Sequence, residues 1–531
     1  MPDSLVDILR PQLEKSFKDR WRIPDWKLHF PWWLPPAPCR ILMYADGAVH
    51  LSGGGFQGLT YVKTLLESHA YYYVKFSVDF CHRDGLDPSA TVNPYDGVHA
   101  NPKKLTDLDI MDTYDEIWFF GSAAGHSLDA TEVALMDQFM AAPKFGGVLT
   151  TGDHANLGQG LCEQITRVGQ MRLYPAPDSS FPLWNTTIVQ RPFHAGEPAD
   201  PPAAGTFLNF NDQSDDIPQT IRWKRYWAGI SHARPHPVLC GPDGPIDIMP
   251  DHEHEGEAVA PAVAGDARWP TKSGSQEAPE VIAWGRIKDP TANKYGQEIG
   301  VVSAYNGHTA DVGRIVADST WHHWFDINLI GLSGSGAPYT GFTTTPSGQV
   351  ALKKIDAYYL NCGVWLAPPA VQSAMRFAAW WSIIWENVVI QLPANAPLLY
   401  IGGVGIDALS RRAPRCAVFD WVWPKEPIYK PKIPWWEWVQ VIPELELVNI
   451  PVEQYMAGGI LHELTHSFGA HSAKRSISDK PPSHEELSTA IVRGTEKGLA
   501  ALKHDLQREQ ALVGKLVEHD FQTKSLIQPG K

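Results

Sequence analysis

Between residues 39 and 151 short apolar runs alternate with amphipathic stretches, and this alternation constrains the fold more than any other feature of the chain. Cys39–Tyr44 (CRILMY), Tyr72–Phe80, Tyr114–Phe120 (YDEIWFF) and Gly147–Thr151 (GVLTT) have strand length and a β-branched or aromatic character. Helical spacing fills the intervals, most clearly at 129–142 (DATEVALMDQFMAA), where Asp129 stands at an N-cap position. The strand pattern resumes at Val281–Ile287, Ile299–Ala304 and Arg314–Ala317, after a less regular insertion at about 175–275 rich in Pro, Asp and His. Strands separated by helices predict an α/β, doubly wound, mostly parallel sheet covered on both faces.

In such sheets the chemistry collects at the C-terminal ends of the strands. Those ends carry Asp46, Gly121, Asp153, His154, Asn306, His308, His322 and His323. Neighbours on a strand point to opposite faces, so at most one of His322 and His323 would face a pocket.

Past residue 340 the texture changes to long helical segments at 347–362, 369–386, 452–469 and 484–520. The Gly/Ser-rich run LSGSGAPYTG marks a boundary near 338. Three parts follow: an N-terminal helix and Pro/Trp-rich strap (1–38), an α/β domain (39–338) and a mainly helical domain (339–531). Tryptophan clusters at 21–33 and 421–438 are expected to pack the parts together. The apolar stretch 375–392 contains Arg376, Glu386 and Asn387. It is short and polar for a membrane span, so a buried helix followed by a strand is expected.

A formal net charge of −14 and the lack of any Lys/Arg run argue against nucleic acid as the main partner. No basic segment leads into an apolar stretch at the N-terminus, so neither secretion nor a membrane is expected, and the cytoplasm is the expected location. Six cysteines (39, 81, 162, 240, 362 and 416) lack paired spacing, so free thiols in a reducing compartment are expected.

Three segments resemble the trehalose-utilisation-type (ThuA-like) branch of the class I glutamine amidotransferase-like fold: YDEIWFFG, FGGVLTTGDHANLG and VGRIVADSTWHHW. The resemblance spans roughly 39–332 and implies that His154 and the His322/His323 pair correspond to pocket residues. Glutamine-hydrolysing members carry a cysteine in a Gly-x-Cys-x-Gly elbow. Here the elbow reads Gly152-Asp153-His154-Ala155-Asn156, and Cys162 lies eight residues later than His154, inside the following helix pattern, as a small core residue. Cysteine-dependent amide transfer is therefore not expected. A pocket built from Asp46, Asp153, His154, His322 and His323 would instead suit metal or acid–base work.

The second constellation is His462-Glu463-Leu464-Thr465-His466. On a helix, histidines four apart project from one face and can share Zn²⁺, and Glu463 can take a proton from the attacking water. Apolar residues at Met456, Ile460, Leu461, Leu464 and Phe468 place the motif on a helix over 452–469, after a strand at Leu445–Ile450. This short segment resembles the active-site helix of zincin metallopeptidases. That resemblance implies a third protein ligand, either His471, one residue short of the metzincin spacing, or Glu486 on the following helix, with Glu485 competing. Gly458 and Gly459 weaken a helix, though they permit close packing.

A weaker metal candidate is His252 with His254, which would share a side if extended. A solvated acidic loop explains the same residues. The leading expectation is a zinc-dependent hydrolase acting on a peptide or small polar substrate. The alternatives are an amidotransferase-like enzyme using the strand-end pocket, or a scaffold binding a sugar or polar metabolite with tryptophans as platforms.

Overall fold

A computed structural model describes residues 36–51, 57–68, 71, 73–83, 98–99, 104–121, 127–151, 160–173, 184–185, 216, 218–228, 232–241, 243–250, 253–254, 256–272, 274–287, 296–331, 341–393, 395–410, 413, 418, 451–469 and 482–527. The expected helix at 1–20, the strand at Leu445–Ile450 and both tryptophan clusters lie outside these residues.

The strands β1 (Ala37–Ala45), β2 (Val74–His82), β3 (Val98–His99), β4 (Glu116–Phe120), β5 (Gly147–Thr150), β6 (Arg222–Trp223), β7 (Glu280–Arg286), β8 (Glu298–Tyr305) and β9 (Ile315–Asp318) form one nine-stranded sheet. Its order is β3-β2-β1-β4-β5-β9-β8-β7-β6. Pairing is parallel from β3 through β9 and antiparallel from β9 to the β6 edge. β1 accounts for the parallel core: Cys39, Ile41 and Met43 pack into one apolar layer, Leu42 and Tyr44 into the opposite one. A strand buried on both faces needs a continuous apolar run, which CRILMY supplies.

Helices cover both faces. α1 (Thr60–Glu67) packs by Val62 and Leu66 into the first layer, and α2 (Ala130–Met140) packs by Met136, Phe139 and Met140 into the second. Asp129 caps α2, accepting from Thr131 N at 2.9 Å and Glu132 N at 3.0 Å, while Glu132 accepts from Asp129 N at 3.0 Å. α3 (Asp326–Ile330) follows β9. Past residue 338, α4 (Pro346–Leu366) and α5 (Pro369–Ile383) lie against the sheet, within the layer that also holds β1. That layer continues through α6 (Leu398–Ser410), α7 (Val452–Phe468) and the start of α8 (His484–Ile527). Among the described residues no helix is long and apolar enough to cross a membrane.

The glycine pair ahead of the histidine motif has a specific packing use. Residues adjacent on a helix point about 100° apart, so Gly458 and Gly459 can face two different neighbours. A Cβ at Gly458 would stand 1.9 Å from Leu398 O of α6; one at Gly459 would stand 2.0 Å from Gly494 O of α8. α7 is thus wedged, backbone to backbone, between α6 and α8.

Three local expectations are corrected. After Ile383 the chain forms a one-turn helix, Asn387–Ile390, rather than a strand, because Val389 N and Ile390 N both bond back to Glu386 O. Cys162 sits among turns, not in a helix, although it is buried as a small core residue with its Sγ 2.6 Å from Thr150 Oγ1. Cys39, Cys81, Cys162 and Cys362 are free thiols, but Cys240 is disulfide-bonded. Scattered cysteines are joined only by long-range folding, which spacing does not record.

Candidate functional site

α7 presents the motif. His462 and His466 share one face, with ring centroids 6.1 Å apart and planes inclined by 32°. His462 is half-buried and His466 exposed, so the pair opens to solvent at one end. Burial pushes the His462 imidazole below its ordinary pKa, helped by the Lys497 charge and by His466, and opposed by Glu463. The ring is therefore neutral near pH 7, the form that ligates metals. Glu463 is half-buried, with Ser467 Oγ donating to its Oε1 at 3.5 Å. Thr465 folds its hydroxyl back onto Leu461 O at 2.8 Å, and the helix ends where Gly469 N bonds Thr465 O.

α8 runs antiparallel to α7: Gly498 abuts Tyr455 and Met456, while Gly494 abuts Gly459 and Ile460. This brings Lys497 Nζ to 3.0 Å from His462 Nδ1. By the same antiparallel register Glu486 lies opposite residues 467–468 of α7, near the level of His466, but its carboxylate is turned to the start of its own helix. Its carboxylate closes a capping box, accepting from Ser483 N at 2.7 Å, while Ser483 Oγ accepts from Glu486 N at 3.2 Å. His471 lies outside the described residues. Among the described residues no three His, Cys, Asp or Glu side chains gather as a metal-holding group. The two imidazoles suit a zinc ion in donor type and spacing, and the Lys497 ammonium is the contact that would have to yield.

The other candidate cluster is the C-terminal edge of the parallel strands. Asp46, His82, Thr150, Thr151, Asp318, Ser319, Thr320, His322, His323 and Asp326 are all buried there. Strand order reverses between β1 and β4, the usual place for a crevice in an open α/β sheet. Asp46 N donates to Phe120 O across it at 3.3 Å, and His82 Nε2 lies 3.0 Å from Gly47 O. Asp326 accepts from Thr60 N at 3.2 Å and Tyr61 N at 2.8 Å. The positive end of α1 is thereby filled by the chain's own carboxylate.

His322 and His323 do not stand on a strand. They occupy a 3₁₀ turn, Trp321–His323, opened by Thr320, whose Oγ1 accepts from His322 N at 3.1 Å. Both are therefore buried, rather than alternating in and out. The His322 ring lies on Trp321, centroids 3.6 Å apart. His323 Nδ1 is 2.7 Å from Asp318 Oδ1, and its Nε2 is 2.7 Å from Gln219 Nε2. Gln219 Nε2 also donates to Pro250 O at 2.9 Å, which fixes the amide's orientation, so the imidazole Nε2 accepts and Nδ1 carries the proton. Asp318 Oδ2 accepts from Tyr358 OH at 2.8 Å and Trp324 Nε1 at 3.2 Å.

Asp46 and the His322/His323 turn are separated by β4 and β5, three strand spacings or about 14 Å. Asp153, His154 and His252 lie outside the described residues. The backbone of His254 pairs with Trp184 in a two-stranded ribbon. Sequence reasoning did not find Asp318, Gln219, Tyr358, Asp326, His82 or Lys497. Asp318, five residues before His323 in VADSTWHH, was within reach of a local reading; the others meet their partners only through the fold.

The fold and these sites define an α/β protein with a mostly parallel sheet and a helical C-terminal region. No protein-family model, curated protein or solved structure matches the chain.

Proposed function

We propose that this chain is a zinc-dependent hydrolase with metallopeptidase-like chemistry, acting on a peptide or small polar amide. The observation that carries the reading is the pair His462 and His466, imidazoles with ring centroids 6.1 Å apart on one partly open helix face, His462 favoured in its neutral form, with Glu463 beside them. His462 and His466 would hold the ion, with His471 or Glu486 as the third protein ligand. Zinc there supplies Lewis acidity toward the scissile carbonyl. Glu463 takes the proton of the attacking water and delivers it to the leaving nitrogen. Metal analysis of the purified chain tests the reading. Wild type is expected to hold about one zinc, the double variant His462→Ala, His466→Ala none, and Glu463→Gln to keep metal while losing hydrolysis. Equal zinc in wild type and the double variant sinks it.

One observation favours a second reading, the concentration of buried polar groups along the C-terminal sheet edge. In this reading the chain is an amidotransferase-like enzyme or small-molecule binder without the elbow cysteine. Asp153, His154, His322 and His323 line its site, Asp318 orients His323, and Asp46 stands about 14 Å away at the other end of the edge. Asp318→Asn combined with replacement of Asp153 and His154 would abolish its activity, whereas full retention would discard this pocket.

A further inference from the structure

We infer that Lys497 governs metal occupancy of the His462/His466 face, holding His462 closed to a cation until its ammonium is displaced. The inference rests on the zinc reading above and deepens it. A neutral imidazole has a single nitrogen lone pair; its other nitrogen carries the proton. Lys497 Nζ donates to Nδ1 of His462 at 3.0 Å, so Nδ1 is the nitrogen with the lone pair and Nε2 the one with the hydrogen. While that contact lasts, neither nitrogen of His462 can ligate. A divalent ion entering the face meets a second obstacle, the like charge of the ammonium within one side-chain length of the same ring.

The packing keeps Lys497 in place. It lies on α8 one residue before Gly498, whose missing side chain lets α8 touch the backbone of α7 at Tyr455 and Met456. Three residues before Lys497, Gly494 makes the same approach at Gly459 and Ile460. Two backbone contacts flanking one lysine fix the point at which its chain leaves α8, opposite residues 456–457 of α7, and its side chain, leaning toward the start of α8, reaches His462 from there. The lysine head is exposed, so it can swing into water when a ligand competes for the ring.

Cobalt(II) binding to the full chain, read by visible absorption, tests the inference through affinity rather than activity. Four proteins are compared: wild type, Lys497→Met, Lys497→Arg and the double variant His462→Ala, His466→Ala. Lys497→Met is expected to bind at least tenfold more tightly than wild type, Lys497→Arg close to wild type, and the double variant not at all. Equal affinity of wild type and Lys497→Met, both above the double variant, would overturn the lysine's role and leave the metal site standing. Binding no stronger in any of them than in the double variant would overturn the metal site itself, and the lysine's role with it. Lys497 is exposed, so its replacement leaves the core intact.

Discussion

Asp356 sits mostly buried between α4 and α1, where Tyr61 OH donates to its Oδ1 at 2.8 Å. Burial pushes its carboxyl up to about 7, although the tyrosine pulls the other way. An acid whose pKa rises on folding favours the folded state in its protonated form. That contribution is whole below the unfolded value near 4 and is lost as pH rises through about 7. Asp356→Asn keeps an acceptor for Tyr61 and cannot ionise. It is therefore expected to stabilise the chain more at pH 8 than at pH 4.5, by at most roughly 4 kcal/mol. Urea midpoints at the two pH values check this, and an equal gain at both would show that the carboxyl does not titrate upward. Glu486 offers a second separation of roles. Glutamine also closes a capping box, so Glu486→Gln should leave stability within about 0.5 kcal/mol. If Glu486 is the third ligand its zinc content falls; if His471 is, only His471→Ala loses metal.

α7 illustrates how a helix can look weak in sequence and be tight in structure. Gly459 costs about 1 kcal/mol of helix propensity relative to alanine, yet a Cβ there would lie 2.0 Å from a backbone oxygen of α8. Backbone cannot step aside as a flexible side chain can. Gly459→Ala is thus expected to destabilise by about 1–3 kcal/mol despite its better propensity. Gly403→Ala on α6, with nothing within 4 Å of the added carbon, should instead stabilise by up to about 1 kcal/mol. Thermal or urea unfolding of the pair reads the contrast. The elements that were legible share one property: each signals itself within a dozen residues. CRILMY and YDEIWFF are strands because both faces are buried, and Asp129 with Glu132 writes its own cap. His462 and His466 belong to the same class, since four residues on a helix bring them together. The insertion was not legible because its strands are two or three residues long, such as Gln219–Thr220 paired with Ile248–Met249, too short to show a period. Lys497 against His462, and the chain from Gln219 through His323 and Asp318 to Tyr358, join residues 35 to 104 apart in sequence or across a turn. No local pattern encodes such meetings.

The helical C-terminal region is joined to the sheet by one of the two apolar layers, which runs from β1 under α4 and α5 to α6, α7 and the first turns of α8. His484 fixes the start of α8 there, its ring 3.9 Å from that of Phe377 and its Nε2 3.1 Å from Ser373 Oγ. Asp505 then ties α8 to α7, accepting from Tyr455 OH at 2.9 Å. Between these points α8 buries Leu487, Ala490, Ile491 and Thr495. Beyond them it continues to Ile527, and every residue from 506 to 519 is exposed, including Leu516 at 70% and Val513 at 58%. A helix of this length without a packed face contributes little, since isolated helices are marginal in water. Ending the chain after Glu509 should therefore leave the thermal midpoint within about 2 °C of the full chain, with zinc content unchanged. The first half of α8 is different: Leu487→Ala removes a fully buried leucine beside α5 and should cost about 2–5 kcal/mol. Calorimetry of both variants divides α8 into a structural half and a projecting half. A large loss on truncation would mean that the apolar stripe at Leu506, Val513, Leu516 and Val517 is covered in solution. In that case the long helix would be part of the molecule's core rather than an extension from it.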